Sequence, residues 1–308
     1  MISIVICSVI KPLREAIKVN IAETIGVPHE IIIIENDIYR YPIAKAYNIG
    51  AERARFPLVC FSHEDIRFHT PDWGKILIQN FEITGARLIG ICGCTVKTIH
   101  PSSVYLIGSN LNRQYQLQTL PGEIAFYNEN PFNEAFAEVC VLDGSFIAST
   151  KQAWEETKFS ETYLPAFHGY DIDFSLKNYV RGKVVVSYNF LIEHFSLGSF
   201  NKSWVGTQFK LVDIWKEKLP LLAPRMNEND LKAANILALR DLVKVLIETD
   251  YSPKVQWLFF LKLLKVSPFH RINLFFLRRL LLRNKLNAAL KSLFKPKYGN
   301  NVNLKETG

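Results

Sequence analysis

The stretch VCFSHEDIRF, Val59 to Phe68, decides the fold. Val59, Cys60, Phe61 and Ser62 have the composition of a buried strand, and they give way at once to His63, Glu64 and Asp65, three groups that titrate or bind metal. In open α/β sheets, ligands bind outside the carboxyl ends of the strands, so a strand closing on such a trio marks a site. A zinc-protease HExxH is excluded: in HEDIRFH the second histidine's place holds Arg67, and His69 at i+6 would lie about 240° round a helix from His63.

The flanking sequence supplies the sheet. Up to about Tyr188, the β-branched runs SIVICSV, EIIIIE, LVCFS, RLIGICG, EVCVLDGSFIA and KVVVSY predict strands, and their weak alternation predicts helices on both faces of a mostly parallel sheet. Between them, Leu13 to Ile25, Ile43 to Ala54, Trp73 to Thr84 and Asp171 to Arg181 carry helical spacing, with Gly182 placed to end the last. The class is α/β. After about Ser203 the strand signals stop and helices follow, which divides the chain into an α/β part, 1–216, and a helical, basic, amphipathic C-terminal extension, 217–308.

Composition bounds the function. At 308 residues and 48% apolar, the chain can bury a large core. Its net charge of +8 is unevenly spread: eleven Lys and Arg and no acid fall between Pro253 and Lys297, so the remainder is slightly acidic. The odd number of cysteines, five, predicts buried thiols in a reducing compartment instead of a disulfide framework, and Cys92-Gly93-Cys94 lacks a second pair to complete a zinc site. The first ten residues read as a strand, having neither the basic flank nor the length of a signal or span.

Other strand ends repeat the pattern of polar residues. EIIIIE runs into Asn36 and Asp37, and the strand ending at Val141 and Leu142 runs into Asp143-Gly144. Neither GxGxxG nor GxxxxGK[ST] follows the first strand, so a nucleotide would be held through carboxylates and a metal. Asp65 with His194 would make an open site for a hard divalent cation such as Mn2+ or Mg2+, the imidazole tilting the choice towards Mn2+. In the run Phe167-His168-Gly169-Tyr170-Asp171-Ile172-Asp173, Asp171 stands at a helix N-terminus, where it is expected to be ionised at neutral pH and able to accept a proton. Taken singly, an Asp there commonly caps the helix, and a His in a run such as LIEHFS commonly sits in the core.

Order and spacing carry more than any one residue. SIVICSV, IIIIEND, AKAYNIGAERARFPLVCFSHEDI, VLDGSFIASTKQAW, FHGYDIDFSLKNYVRGKVVV and EHFSLGSFNKSW, in this sequence over residues 1–216, resemble the inverting glycosyltransferases of family two, which have the GT-A fold, and particularly the bacterial glycosyltransferase-like subgroup. The resemblance implies that Asp37 contacts the nucleoside, that Asn48 and Gly50 belong to the helix before the metal strand, and that Asp65 matches the last acid of the family's DxD motif. It further implies that Gly144 lies under the donor sugar, that Asp171 is the base, and that His194 is the late metal-binding histidine. Asn48, together with Glu64 and Asp173, which stand beside Asp65 and Asp171, joins the expected donor-binding set. His63 departs from the family by standing where an Asp is usual, which leaves it either to the metal or, with Asp65 and His194 holding the metal, to ribose or phosphate. No QxxRW segment is present, against a processive polymer synthase.

The expected activity is therefore metal-dependent transfer of one sugar from a nucleotide-diphosphate sugar to a hydroxyl acceptor, a glycan or a lipid-linked molecule. The alternatives are a nucleotidyltransferase, which would want a glycine-rich basic first loop that SVIKPLREA does not supply, and a glycan-binding scaffold that has lost turnover. The basic tail raises nucleic acid as a partner, but its Leu and Phe content fits a lipid surface better. The expectation is a peripheral protein on an anionic membrane, at the cytoplasmic side, with no nucleic-acid partner.

Overall fold

The computed structural model describes residues 1–293 except 165, 166, 197 and 199, with side chains as far as residue 282. The first β-branched run forms β1 (Ile2–Ser8), followed by α1 (Lys11–Thr24), β2 (His29–Glu35), α2 (Asn36–Tyr39), α3 (Ile43–Arg53) and β3 (Leu58–Ser62). β1 pairs in parallel with β2 and β3, Ile4 lying opposite both Ile31 and Cys60. Alternate side chains of β1 serve two cores. Ile2, Ile4 and Ile6 pack with Ile17 and Ile21 of α1, while Val5 packs with Tyr47 and Ala51 of α3. Burial on both faces is why the strand shows no polar alternation.

The chain continues through β4 (Ile66–Phe68), α4 (Trp73–Thr84), β5 (Leu88–Gly90), β6 (Cys92–Cys94) and β7 (Val96–Lys97). It then forms β8 (Asn112–Leu120), β9 (Glu123–Glu129), β10 (Phe136–Glu138), β11 (Val141–Leu142), β12 (Phe146–Thr150), α5 (Lys151–Thr157), α6 (Tyr170–Tyr179), β13 (Val184–Ser187) and β14 (Ile192–His194). The main sheet has the order β10-β13-β5-β12-β3-β1-β2. It is α/β as expected, but mixed where the sequence suggested mostly parallel. β12 is antiparallel to β3 and β5, and β10 to β13. The cause lies in EVCVLDGSFIA, which is not one strand: it turns at Asp143-Gly144, so β12 starts at the end of the sheet where β3 stops and must run the opposite way.

A second sheet, β11-β6-β8-β14-β4 with β9 paired to β8, builds on that same end. Residues 95 to 133 supply its β8–β9 hairpin, turning at Pro121-Gly122. Gln114, Gln116 and Gln118 of β8 are buried, so a hydrophobic pattern could not reveal it.

The rest is α7 (Lys202–Trp215), a two-residue β15 (Leu221–Leu222) paired to β7, then α8 (Glu228–Glu248), α9 (Pro253–Val266) and α10 (Ile272–Leu293). Asn227 and Asp230 form a capping box at the start of α8. α8 joins two clusters: Ala234 and Ala238 pack with Val96, Leu211 and Trp215, and Leu239 and Leu242 pack with Phe259, Phe260 and Phe276 of the last two helices. The five cysteines are free thiols, four of them buried.

Candidate active site

Four chain segments converge where β3 ends. His63 to Asp65 follow β3, Asp143 and Gly144 join β11 to β12, Asp171 opens α6, and His194 closes β14. Backbone bonds fix their mutual placement. His63 N–H donates to Ser145 O at 3.0 Å, and Phe195 N–H to Asp65 O at 2.9 Å. β14 runs antiparallel to β4 with His194 opposite Ile66, which sets His194 beside Asp65.

One ligand atom each of His63, Asp65 and His194 lies within 4.8 Å of the others. Asp65 Oδ1 is 3.7 Å from His63 Nδ1 and 3.6 Å from His194 Nε2. Tyr170 Oη is 2.8 Å from His63 Nε2 and donates to the Gly144 carbonyl at 3.2 Å. Tyr170 thereby holds the His63 ring with Nε2 towards its own hydroxyl and Nδ1 towards Asp65. The donor set, two imidazoles and a carboxylate, fits a divalent cation, and suits Mn2+ better than the strictly oxygen-seeking Mg2+. The sequence left His63 to the metal or to the donor; its ring stands beside Asp65 and His194.

Electrostatics agree with a trio that shares charge. Burial opposes ionisation of Asp65, but its hydrogen bond to His194 and the two imidazoles hold it well below the usual carboxylate range. Burial likewise depresses His194, and the Asp65 hydrogen bond with the charges of Asp143 and Asp65 outweighs it, raising the imidazole. His63 is lowered by burial and by His194, against the pull of Asp65.

Asp171 follows Tyr170, the residue in contact with His63, in the first turn of α6. Burial, reinforced by Asp143, pushes its carboxyl up to about 7, against hydrogen bonds from nearby backbone N–H groups. The expectation of full ionisation at neutral pH is thus corrected: partial burial beside a second carboxylate outweighs the α6 N-terminus. A base poised near neutrality is what proton removal from a hydroxyl requires. Gly144 and Gly169 make the geometry possible. A Cβ on Gly144 would come within 2.1 Å of Tyr170 Oη, and Gly169, at φ +80°, starts α6 where a Cβ would meet Leu211 of α7 at 2.8 Å.

A cavity of about 660 Å³ opens over these groups, lined also by Val9, Ile10, Tyr41, Phe167 and Trp204. Its size is that of a site for a small organic ligand. His63, Glu64, Asp65, Gly144, Asp171 and His194 all line it. Asp37 sits exposed nearby in α2, its Oδ1 accepting from Arg14 at 2.9 Å, while Asn36 beside it borders the cavity.

Other expected donor-binding residues are engaged elsewhere. Glu64 accepts from Ser8 Oγ at 2.6 Å and from the N–H groups of Val9 and Ile10 at 3.0 and 3.1 Å, so its carboxylate clamps the first loop. Those amides are the ones a phosphate cradle would use, which counts against a nucleotidyltransferase. Asn48, behind the site, spends both ends of its amide on Trp154, Phe159 and Glu161. Asp173 is 1% exposed and holds Ser160, Trp215 and Lys177, on the side of α6 away from the cavity lining. Both are structural ties. Sequence reasoning marks Asp143 only as a strand end and misses Tyr170, because a tyrosine that orients a histidine leaves no sequence signal.

The sequence matches the model of a glycosyltransferase-like family over residues 12–218. No curated protein matches it. Among solved structures, GalNAc-T7 with UDP, GalNAc and Mn2+ aligns at 11% identity over 71% of this chain and 48% of its own, TM-score 0.49. The chain thus spans about half the length of that protein. S. aureus TarS 1-349 in complex with UDP aligns at 12% identity over 84% of this chain and 85% of its own, TM-score 0.49. The family match covers two thirds of the residues, and with a mixed sheet that brings Asp65, Asp171 and His194 to one end, it identifies the chain as a member of the glycosyltransferase-like family with a GT-A-type fold.

Proposed function

We propose that the protein moves one sugar from a nucleotide-diphosphate sugar to an acceptor hydroxyl, with inversion at the anomeric carbon. The observation that carries this is Asp171, a carboxyl held near neutrality in the same cavity that the His63, Asp65 and His194 trio lines. The donor's diphosphate would sit against the trio. A divalent cation there, Mn2+ or Mg2+, would offset the negative charge that develops on the departing diphosphate. Asp171 takes the proton from the acceptor hydroxyl as its oxygen attacks the anomeric carbon from the face opposite the leaving group, the carbon–oxygen bond forms, and the nucleoside diphosphate leaves with the bonding pair. The transition state has oxocarbenium character, and a diphosphate leaves without an acid, so one base suffices. Burial beside Tyr170 and Asp143 keeps Asp171 from ionising too readily to accept a proton. The acceptor on this account is a glycan or a lipid-linked molecule at the cytoplasmic side of the membrane.

The test is a screen of nucleotide-diphosphate sugars with Mn2+, scoring nucleoside diphosphate release with and without added acceptors, for the natural chain and Asp65→Asn. Release by the natural chain, with a large loss in Asp65→Asn at limiting Mn2+ and an unchanged melting profile, supports the assignment. Wild-type turnover by Asp65→Asn at limiting Mn2+ would remove the trio from the mechanism.

A further inference from the structure

The hairpin of α9 and α10 has two unlike faces. Phe259, Phe260 and Leu263 of α9, with Phe276 and Leu280 of α10, are buried in the cluster that α8 completes. The opposite side is both apolar and cationic. On α9, Lys254, Leu258, Leu261, Lys262 and Lys265 recur at helical spacing and all stand exposed. On α10, Leu274 is 73% exposed, and Phe275 and Leu281 are exposed alongside Arg278 and Arg279. Phe269, in the turn between the helices, is 98% exposed. No Asp or Glu occurs from Ser252 to Leu282.

We propose that this outer face docks the protein on the surface of an anionic lipid bilayer. Charge complementarity selects the occupant: a face that carries Lys and Arg and no Asp or Glu matches an anionic leaflet. Protein interfaces are depleted of Lys at their centres, whereas Lys and Arg interspersed with Leu and Phe are what an interfacial helix presents. The cations already lie along the apolar surface, Lys262 Nζ 4.7 Å from the centre of the Phe259 ring and the Arg279 guanidinium 5.0 Å from that of Phe275. They can reach headgroups while leucines and Phe269 enter the boundary below. Among the described residues no helix is long and apolar enough to cross a membrane, which fits attachment to one leaflet.

The same hairpin is joined to the cavity. Trp204 of α7 lines the cavity and belongs to the cluster that seats α9, and Phe209 of α7 meets Phe259 at 5.3 Å between ring centres. Docking would therefore hold the cavity at a fixed height over the bilayer, where a lipid-carried acceptor reaches it; this last step rests on the transferase proposal, and the docking itself does not.

The experiment is co-sedimentation of the full chain with vesicles of phosphatidylglycerol and phosphatidylcholine, and with phosphatidylcholine alone, at low and high salt. The expected result is binding to the anionic vesicles only, weakened by salt. K262Q/K265Q should lower the partition coefficient on the order of 30-fold, and Phe269→Ser about tenfold. These side chains are exposed, so unchanged thermal unfolding of the variants confirms that the fold is kept. Equal binding to neutral vesicles, no binding, or variants that bind like the natural chain would overturn the proposal. So would a dimer in sedimentation velocity that disperses in Phe269→Ser without any vesicle binding, which would assign the face to a second copy of the chain.

Discussion

Asp171 carries two opposed demands. Its carboxyl is partly buried beside Asp143, which raises it to about 7 from an ordinary value near 4, and that shift has a sign for stability as well as for chemistry. In the unfolded chain the group ionises above about pH 4; in the folded chain it stays protonated until about 7. Folding is therefore penalised progressively as pH rises between those values, and the full penalty remains above the folded value. Asp171→Asn removes it. The variant is expected to melt higher than the natural chain at pH 8 and close to it at pH 4, with the gap opening between; a variant melting lower at pH 8 would show that the carboxylate stabilises the fold. The histidines behave otherwise. His63 is lowered and His194 raised although both flank Asp65, because burial dominates the first and the Asp65 hydrogen bond with two carboxylate charges dominates the second.

The elements place these residues by where they stop and start. β3 ends at the trio, β12 begins at the same end, and α6 begins two residues after His168 with Gly169 in the left-handed region. The contact between Gly144 and Tyr170 connects the β11–β12 turn to α6. Gly144→Ala puts a methyl into the Tyr170 hydroxyl, so the tyrosine must move and release His63. The expected cost is about 1–3 kcal/mol of stability, measured by denaturant unfolding. Mn2+ affinity should also fall on the order of tenfold as His63 loses its orientation; unchanged affinity, read by the paramagnetic resonance signal of free Mn2+, would mean Tyr170 does not orient the ligand. The sequence exposes elements of this kind unevenly. Trp73 to Thr84 is predicted and observed with the same bounds, because its apolar residues repeat at helical spacing and Gly85 ends it. β8 is invisible, since three of its inward side chains are glutamines. Asp65, Asp171 and His194 could be picked out because each ends a strand or starts a helix, the places where an α/β sheet puts chemistry. Glu64, Asn48 and Asp173 share those neighbourhoods and chemical types, and only their hydrogen-bond partners reveal that they tie the scaffold together.

At the scale of the molecule, the C-terminal helices matter in two ways. The boundary expected near residue 216 falls inside a continuous packing arrangement: α8 shares one cluster with Val96 and Trp215 and another with α9 and α10. Asp241 of α8 accepts from Ile107 N–H at 3.0 Å, and Arg240 donates to the Ile107 carbonyl. Removing everything after residue 252 would uncover Leu239, Leu242, Val243 and Leu246 at once. That truncation is expected to lower the melting temperature and expose apolar surface to a hydrophobic dye, while point changes on the outer face of the hairpin do neither; a truncated chain as stable and dye-silent as the natural one would show that the hairpin is merely appended. The amphipathic tail was plain in the sequence, but the division of its apolar residues between a buried inner face and an exposed outer one was not. Spacing gives periodicity, and only the packed neighbours say which side is covered.

The central claim is that the cavity transfers a sugar with Asp171 as the base. Its most direct test is the pH dependence of the transfer rate at saturating donor and acceptor, for the natural chain and Asp171→Asn, with donor affinity measured on the same preparations. Because the base must be unprotonated, the natural chain's rate should climb through about pH 7 and level off above it. Asp171→Asn should bind donor normally, lose 10²–10⁴-fold in rate and lose that limb of the profile. A variant that keeps the limb and most of the rate, or that loses donor binding while its maximal rate survives, would contradict the account.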